Sequence, residues 1–304
     1  MQWIVFCLIA AFVFSISVFI DNYLTDVIFK GRTPQAIKAI DCVLYAVLAI
    51  IIAAVFGIES APLPIIVLAL ASGMITSFSS IFYYLALRDE EATTASIFFQ
   101  VIPVLCIIAD FVILGHSITI QQICGFILVL LAPIIITIAR RHKKSRKLEL
   151  KVFGFFMLYV ILHTIGNIGY AKAEQYNPDA MTLFFWFIVG RAIFDTICTF
   201  FIPKFRKRLK QVIKKDGAKF VLLAATTLGL TALGDFLVRY SYNFTTTSLA
   251  TALSNASELI VTFILGIILT IIWPKFGREK LNRHIVISHL IAVILIVIGI
   301  ILAN

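Results

Sequence analysis

Residues 72–103, SGMITSFSSIFYYLALRDEEATTASIFFQVIP, lie over residues 227–258, TLGLTALGDFLVRYSYNFTTTSLATALSNASE, when the sequence is shifted by 155 positions. In the first copy Ser72, Thr76, Ser80 and Tyr84 recur every four residues, which sets a polar stripe along one face of a helix. The second copy carries the stripe as Thr227, Thr231, Asp235 and Arg239. One helix further on, Ser96, Gln100 and Pro103 lie over Thr251, Asn255 and Glu258. A repeat of this kind implies two halves of five spans each. Because five is odd, the second half enters the membrane with the opposite orientation. Inverted halves point to alternating access, with a site at the repeat interface near the midplane.

Composition agrees with a membrane. Of the 304 residues, 61% are hydrophobic and 14% charged, against about 45–50% and about 25% in soluble domains. A water-soluble fold would have to expose that excess as large apolar patches, so a soluble enzyme domain, a secreted disulfide module and a disordered chain are all excluded. The expected fold is an all-α polytopic membrane protein of ten transmembrane helices. Apolar runs fall at about 3–24, 37–57, 64–87, 93–114, 119–139, 152–173, 180–202, 217–240, 246–272 and 284–303. The runs are continuous rather than alternating, which excludes a strand barrel. Pro34, Pro62, Pro64, Pro178, Pro203 and Pro274 stand at or beyond run ends, whereas Pro103 and Pro133 lie within runs and predict kinks. The expected division is a first half at 1–139, a basic linker at 140–151 and a second half at 152–304. The N-terminal stretch MQWIVFCLIAAFVFSISVF has no basic n-region and reads as the first span rather than a cleaved signal.

The net charge of +10 is a matter of topology rather than of nucleic-acid binding. Lys30, Arg32 and Lys38 occupy the first loop and Arg88 the third. The fifth loop runs from Arg140 to Lys151, the seventh from Lys204 to Lys219 and the ninth from Lys275 to Arg283. Only Lys172 and Arg239 lie near the even loops. This asymmetry places the odd loops in the cytoplasm and both termini outside a plasma or inner membrane. The expected partners are the lipid bilayer and a small-molecule substrate, with oligomeric state left open.

Ionisable groups inside a bilayer cost a few kcal/mol even on lenient scales, so they are the default functional candidates. Here they are Asp21, Asp110, His163, Arg191, Asp195, Asp235, Arg239 and Glu258. Arg191 and Asp195, four apart, read as an intrahelical ion pair, and Asp235 and Arg239 read either as another such pair or as part of a cavity wall. Asp21 and Asn22 read as solvated at a helix end. Glu258 shares a face with Thr251, Asn255 and Thr262, and is the candidate for exchanging a proton during transport, unless Arg239 or Arg191 neutralises it. His163, Asn167 and Tyr170 lie on one helix at spacings that let them face the same cavity. Cys7, Cys42, Cys106, Cys124 and Cys198 all lie in apolar runs without CxxC spacing, and read as buried structural thiols. His284 and His289 are five apart, the wrong spacing for a helical metal pair. The expectation is no catalytic residue, no metal and no cofactor.

Residues 85–136, LALRDEEATTASIFFQVIPVLCIIADFVILGHSITIQQICGFILVLLAPIII, resemble the EamA-type repeat of the drug/metabolite transporter superfamily. SLATALSNASELIVTFILG (248–266) and GREKLNRHIVISHLIAVILIVIGIIL (277–302) resemble a second copy, and Arg191 in FFWFIVGRAIFDTI stands where the family often has an arginine. There are departures: His116 replaces the turn acid that Glu279 keeps, and Glu258 stands where the first copy has Pro103. The resemblance implies a secondary transporter rather than an enzyme. The expected substrate-binding residues are Tyr84, Gln100, His163, Asn167, Asp235, Arg239, Asn255 and Glu258. A lining with both signs of charge and aromatic faces favours amino acids or related polar solutes. Sugars or nucleotide sugars are the alternative, and an integral-membrane enzyme acting on lipid is the reading from another class.

Overall fold

The computed structural model describes residues 2–29, 33–88, 92–115, 117, 119–141, 150–176, 178–273 and 283–303. Lys30, Arg32, His116, the linker residues 142–149, Pro274, Lys275, Arg278, Glu279 and Lys280 lie outside them, as do the side chains of Pro133, Arg140, Arg141, Arg283, His284 and His289. Every regular element among the described residues is helical. α1 (Gln2–Tyr23) runs on into a π-helical turn at Leu24–Ile28, and a 3₁₀ turn at Pro34–Ile37 leads into α2 (Lys38–Phe56). There follow α3 (Leu63–Leu87), α4 (Ala92–Phe99), α5 (Val101–Val112), α6 (Ile120–Arg141), α7 (Leu150–Glu174), α8 (Ala180–Phe201), α9 (Pro203–Ser241), α10 (Thr247–Ile272) and α11 (Arg283–Ala303).

Eight segments among the described residues are long and apolar enough to cross a membrane, with α4 and α5 together making one of them. The outer surface fits that medium: Ile50, Val55, Phe200 and Ile272 stand 66% to 75% exposed, an apolar exterior that water would penalise and lipid does not. The chain is a multi-pass membrane protein.

Two expected runs differ from the observed helices for identifiable reasons. The run 93–114 is two helices, parted at Gln100. Pro103 lacks the N–H that would bond the carbonyl four residues back, and that Phe99 carbonyl instead accepts from Asn255 Nδ2 at 2.8 Å. The basic stretch 204–219, expected as a loop, is helical and continuous with the following span. At about 1.5 Å per residue, the 39-residue α9 is about 58 Å long, roughly twice the ~30 Å of a bilayer core. Its basic end is tied down by Arg208, which donates to the Phe29 carbonyl at 3.2 Å, and Lys219, which donates to Tyr23 Oη at 2.6 Å.

The centre is built by α1 against α9 and α10, and by α3 against α7 and α8, while α2 packs on α8 and α6 on α11. α3 and α8 approach backbone to backbone. A Cβ on Gly73 would fall on the Phe187 carbonyl, and one on Gly190 on the Leu70 carbonyl, so only glycine permits this crossing. All five cysteines are free thiols; Cys7, Cys106 and Cys198 are buried, but Cys124 is exposed on the outer face of α6, contrary to the expectation that all are buried.

Candidate functional site

The central helices line a cavity of about 120 Å³, several times the ~10–15 Å³ that one water requires. α9 supplies Thr227, Thr231 and Asp235 at successive turns, and α3 supplies Thr76, Ser80, Tyr83 and Tyr84. Ser17 of α1 lies 2.7 Å from the hydroxyls of both Thr227 and Thr231. Asp21, one turn on, accepts from Thr227 at 3.0 Å and from Tyr83 Oη at 3.2 Å. The spacing of four thus brings one face of α1 onto the polar stripe of α9.

Charged groups line the opposite wall. Arg191 Nη1 of α8 lies 2.5 Å from Asp235 Oδ2 of α9, and its guanidinium stacks over the Tyr45 ring at 4.6 Å. Lys38 is only 1% exposed. Its ammonium lies 3.1 Å from Asp41 and 3.4 Å from Asp195, and it donates to Ser77 Oγ at 3.2 Å. Ser77 in turn donates to Asp195 at 2.5 Å. On α7, Tyr159 and His163 line the cavity four residues apart, with rings 5.2 Å apart. On α10, Glu258 accepts from Ser96 Oγ at 3.4 Å and has no cationic partner among the described residues.

Of the eight expected site residues, Tyr84, His163, Asp235, Asn255 and Glu258 line the cavity. Gln100, Asn167 and Arg239 are buried but stand behind its wall. Gln100 Nε2 donates to the Asn255 carbonyl at 2.7 Å, while Arg239 is held 4.1 Å from the Phe187 ring and 4.9 Å from the Tyr170 ring.

Three readings of the sequence are corrected here. Arg191 does not pair with Asp195 along α8; it bonds Asp235 on the neighbouring helix, and Asp195 is taken by Lys38 and Ser77. Lys38 is a core residue and not a loop cation. Asp21 and Asn22 are buried rather than solvated. The alternative for Glu258, neutralisation by Arg239 or Arg191, has no ion pair behind it among the described residues. Asp41, Tyr45, Ser17 and Tyr159 were not legible as lining residues. For Asp41 one signal exists, its spacing of three from Lys38 at the start of an apolar run, which is that of a helical ion pair. Asp110, at its helix end, caps α10 by accepting from the Ser248 N–H at 2.8 Å.

A helical bundle with an apolar exterior and buried charges around an internal cavity defines a polytopic membrane protein with a polar interior. Residues 1–138 match the EamA-like transporter family, which belongs to the drug/metabolite transporter superfamily. The match covers the first half of the chain, and members of that family are transporters. A solved structure described only as the crystal structure of a protein is similar over 97% of this chain and 96% of that chain, at 13% identity and a TM-score of 0.57. That likeness concerns the fold alone. No curated protein sequence matches the chain.

Proposed function

We propose that this protein is a secondary transporter of small polar solutes, amino acids or related metabolites foremost, working by alternating access between the halves 1–139 and 152–304. The observation that carries the reading is the central cavity, lined by both signs of charge and by tyrosines from both halves. The packing supports ten spans in two inverted repeats. In chain order the spans α1, α2, α3, α4–α5 and α6 correspond to α7, α8, α9, α10 and α11. Under that correspondence the α1–α9 packing exchanges with α3–α7, while α2–α8 and α6–α11 map onto themselves. Gln100 and Asn255, equivalent under the shift of 155, meet each other at 2.7 Å, as residues near a twofold axis do.

In proteoliposomes, a cysteine-free variant carrying Thr231→Cys is expected to take up at least one amino acid. A water-soluble thiol reagent should block that uptake by reaching the cavity. Ile264→Cys, on the outer face at 51% exposure, should be unaffected. Equal effects at the two positions, or uptake at liposome background for every solute, would sink the reading. The lysine and arginine asymmetry supports cytoplasmic odd loops and external termini. A C-terminal reporter that works only outside the cell should therefore be active, and one active only in the cytoplasm overturns that orientation.

A further inference from the structure

Two guanidinium groups share one carboxylate in the wall between α8 and α9. Arg191 Nη1 lies 2.5 Å from Asp235 Oδ2, and Arg239 Nη2 lies 3.9 Å from Asp235 Oδ1. Both guanidiniums rest on the Phe187 ring, at 5.6 Å and 4.1 Å from its centre. Arg239 is 1% exposed, and none of its three guanidinium nitrogens has a hydrogen-bond acceptor among the described residues. The nearest acid along α8, Asp195, is engaged by Lys38 and Ser77. Aromatic faces offset part of the cost of a buried cation, but a guanidinium without a hydrogen-bonded counter-ion remains expensive. Glu174, the other carboxylate whose charge acts on Arg239, accepts from Asn243 Nδ2 at 2.7 Å and makes no ion pair with Arg239 among the described residues, so Arg239 still lacks a carboxylate within hydrogen-bonding reach.

We propose that the cavity binds a carboxylate-bearing solute, whose carboxylate takes Arg191 while Asp235 passes from Arg191 to Arg239. The inference rests on the transporter reading and names its substrate class. Arg191 and Asp235 line the cavity, whereas Arg239 stands behind it. An entering carboxylate therefore meets Arg191 directly, and Asp235 is the group that can reach Arg239. Its Oδ1 is already within 3.9 Å, so a side-chain rotation suffices. Two hydrogen-bonded guanidinium–carboxylate pairs then replace one. Without solute, Asp235 keeps Arg191 paired. An uncharged solute offers no second carboxylate and leaves Arg239 as it was.

The test uses the full chain in detergent. Binding is measured for the twenty standard L-amino acids and for acetate, lactate and succinate, each compared with its carboxamide. At least one acid is expected to bind about tenfold or more tightly than its amide, the size of a charge-assisted hydrogen bond lost. Arg239→Gln should weaken the acid by a similar factor and leave the amide unchanged. Asp235→Asn, which removes the internal competitor, should tighten acids. Acid and amide of equal affinity, no acid bound at all, or Arg239→Gln without effect on acid binding each overturn the proposal. The acid-to-amide comparison needs no variant, so a misfolded substitution does not shield it. Uptake separates the two readings. A neutral or cationic solute that is transported while no acid binds removes the carboxylate site and leaves the transporter standing. An acid that binds through Arg239 but is never taken up does the reverse.

Discussion

Lys38→Met is expected to cost about 3–5 kcal/mol, the range seen when one partner of a buried ion pair is removed. The ammonium makes the only ion pairs to Asp41 and Asp195 among the described residues, at 3.1 Å and 3.4 Å. Without it the two carboxylates face each other in the core with Ser77 as the remaining donor. In detergent the thermal midpoint should fall steeply and little monodisperse protein should be recovered. Lys38→Met combined with Asp195→Asn should regain a large part of the loss, because one uncompensated charge is then gone. A cation in a solvated loop, as the charge census had it, would contribute roughly 0–1 kcal/mol. An unchanged midpoint in Lys38→Met would therefore restore that reading and refute the buried pair.

Glu258→Gln is expected to leave the protein folded and able to bind solute, while abolishing the pH dependence of uptake in proteoliposomes. Asp235 has Arg191, and Asp41 has Lys38. Glu258 lines the cavity with a single hydroxyl partner, Ser96. Its charge is thus set by whether a proton is bound, and glutamine mimics the protonated form while keeping an acceptor for Ser96. Asp21 is the other cavity carboxylate without an ion pair among the described residues, hydrogen-bonded by Thr227 and Tyr83, and Asp21→Asn is the matched control. If the pH profile of uptake keeps its slope in Glu258→Gln and flattens in Asp21→Asn, the proton-responsive role belongs to Asp21.

The sequence alone determined the helical class, the membrane and most helix limits. α1, α2, α3, α7, α8 and α10 all begin and end close to the apolar runs read for them. Such runs follow from transfer free energy, which acts residue by residue and needs no partner. Period also marked which face of each helix is polar, and on that basis singled out Asp235, Asn255 and Glu258. Only the tertiary structure decided who meets whom. A spacing of four made Arg191 and Asp195 look like partners, yet the rotation of α8 in the bundle turns the guanidinium to Asp235 and the carboxylate to Lys38. Lys38 read as a loop charge because a single lysine at a run boundary costs the same on either side of it; its burial depends on carboxylates from two helices converging there. The break at Gln100 had its cause in Pro103, but the group that satisfies the freed Phe99 carbonyl, Asn255, lies 156 residues away. Periodicity specifies the face a side chain occupies, and packing specifies the neighbour that face is turned toward.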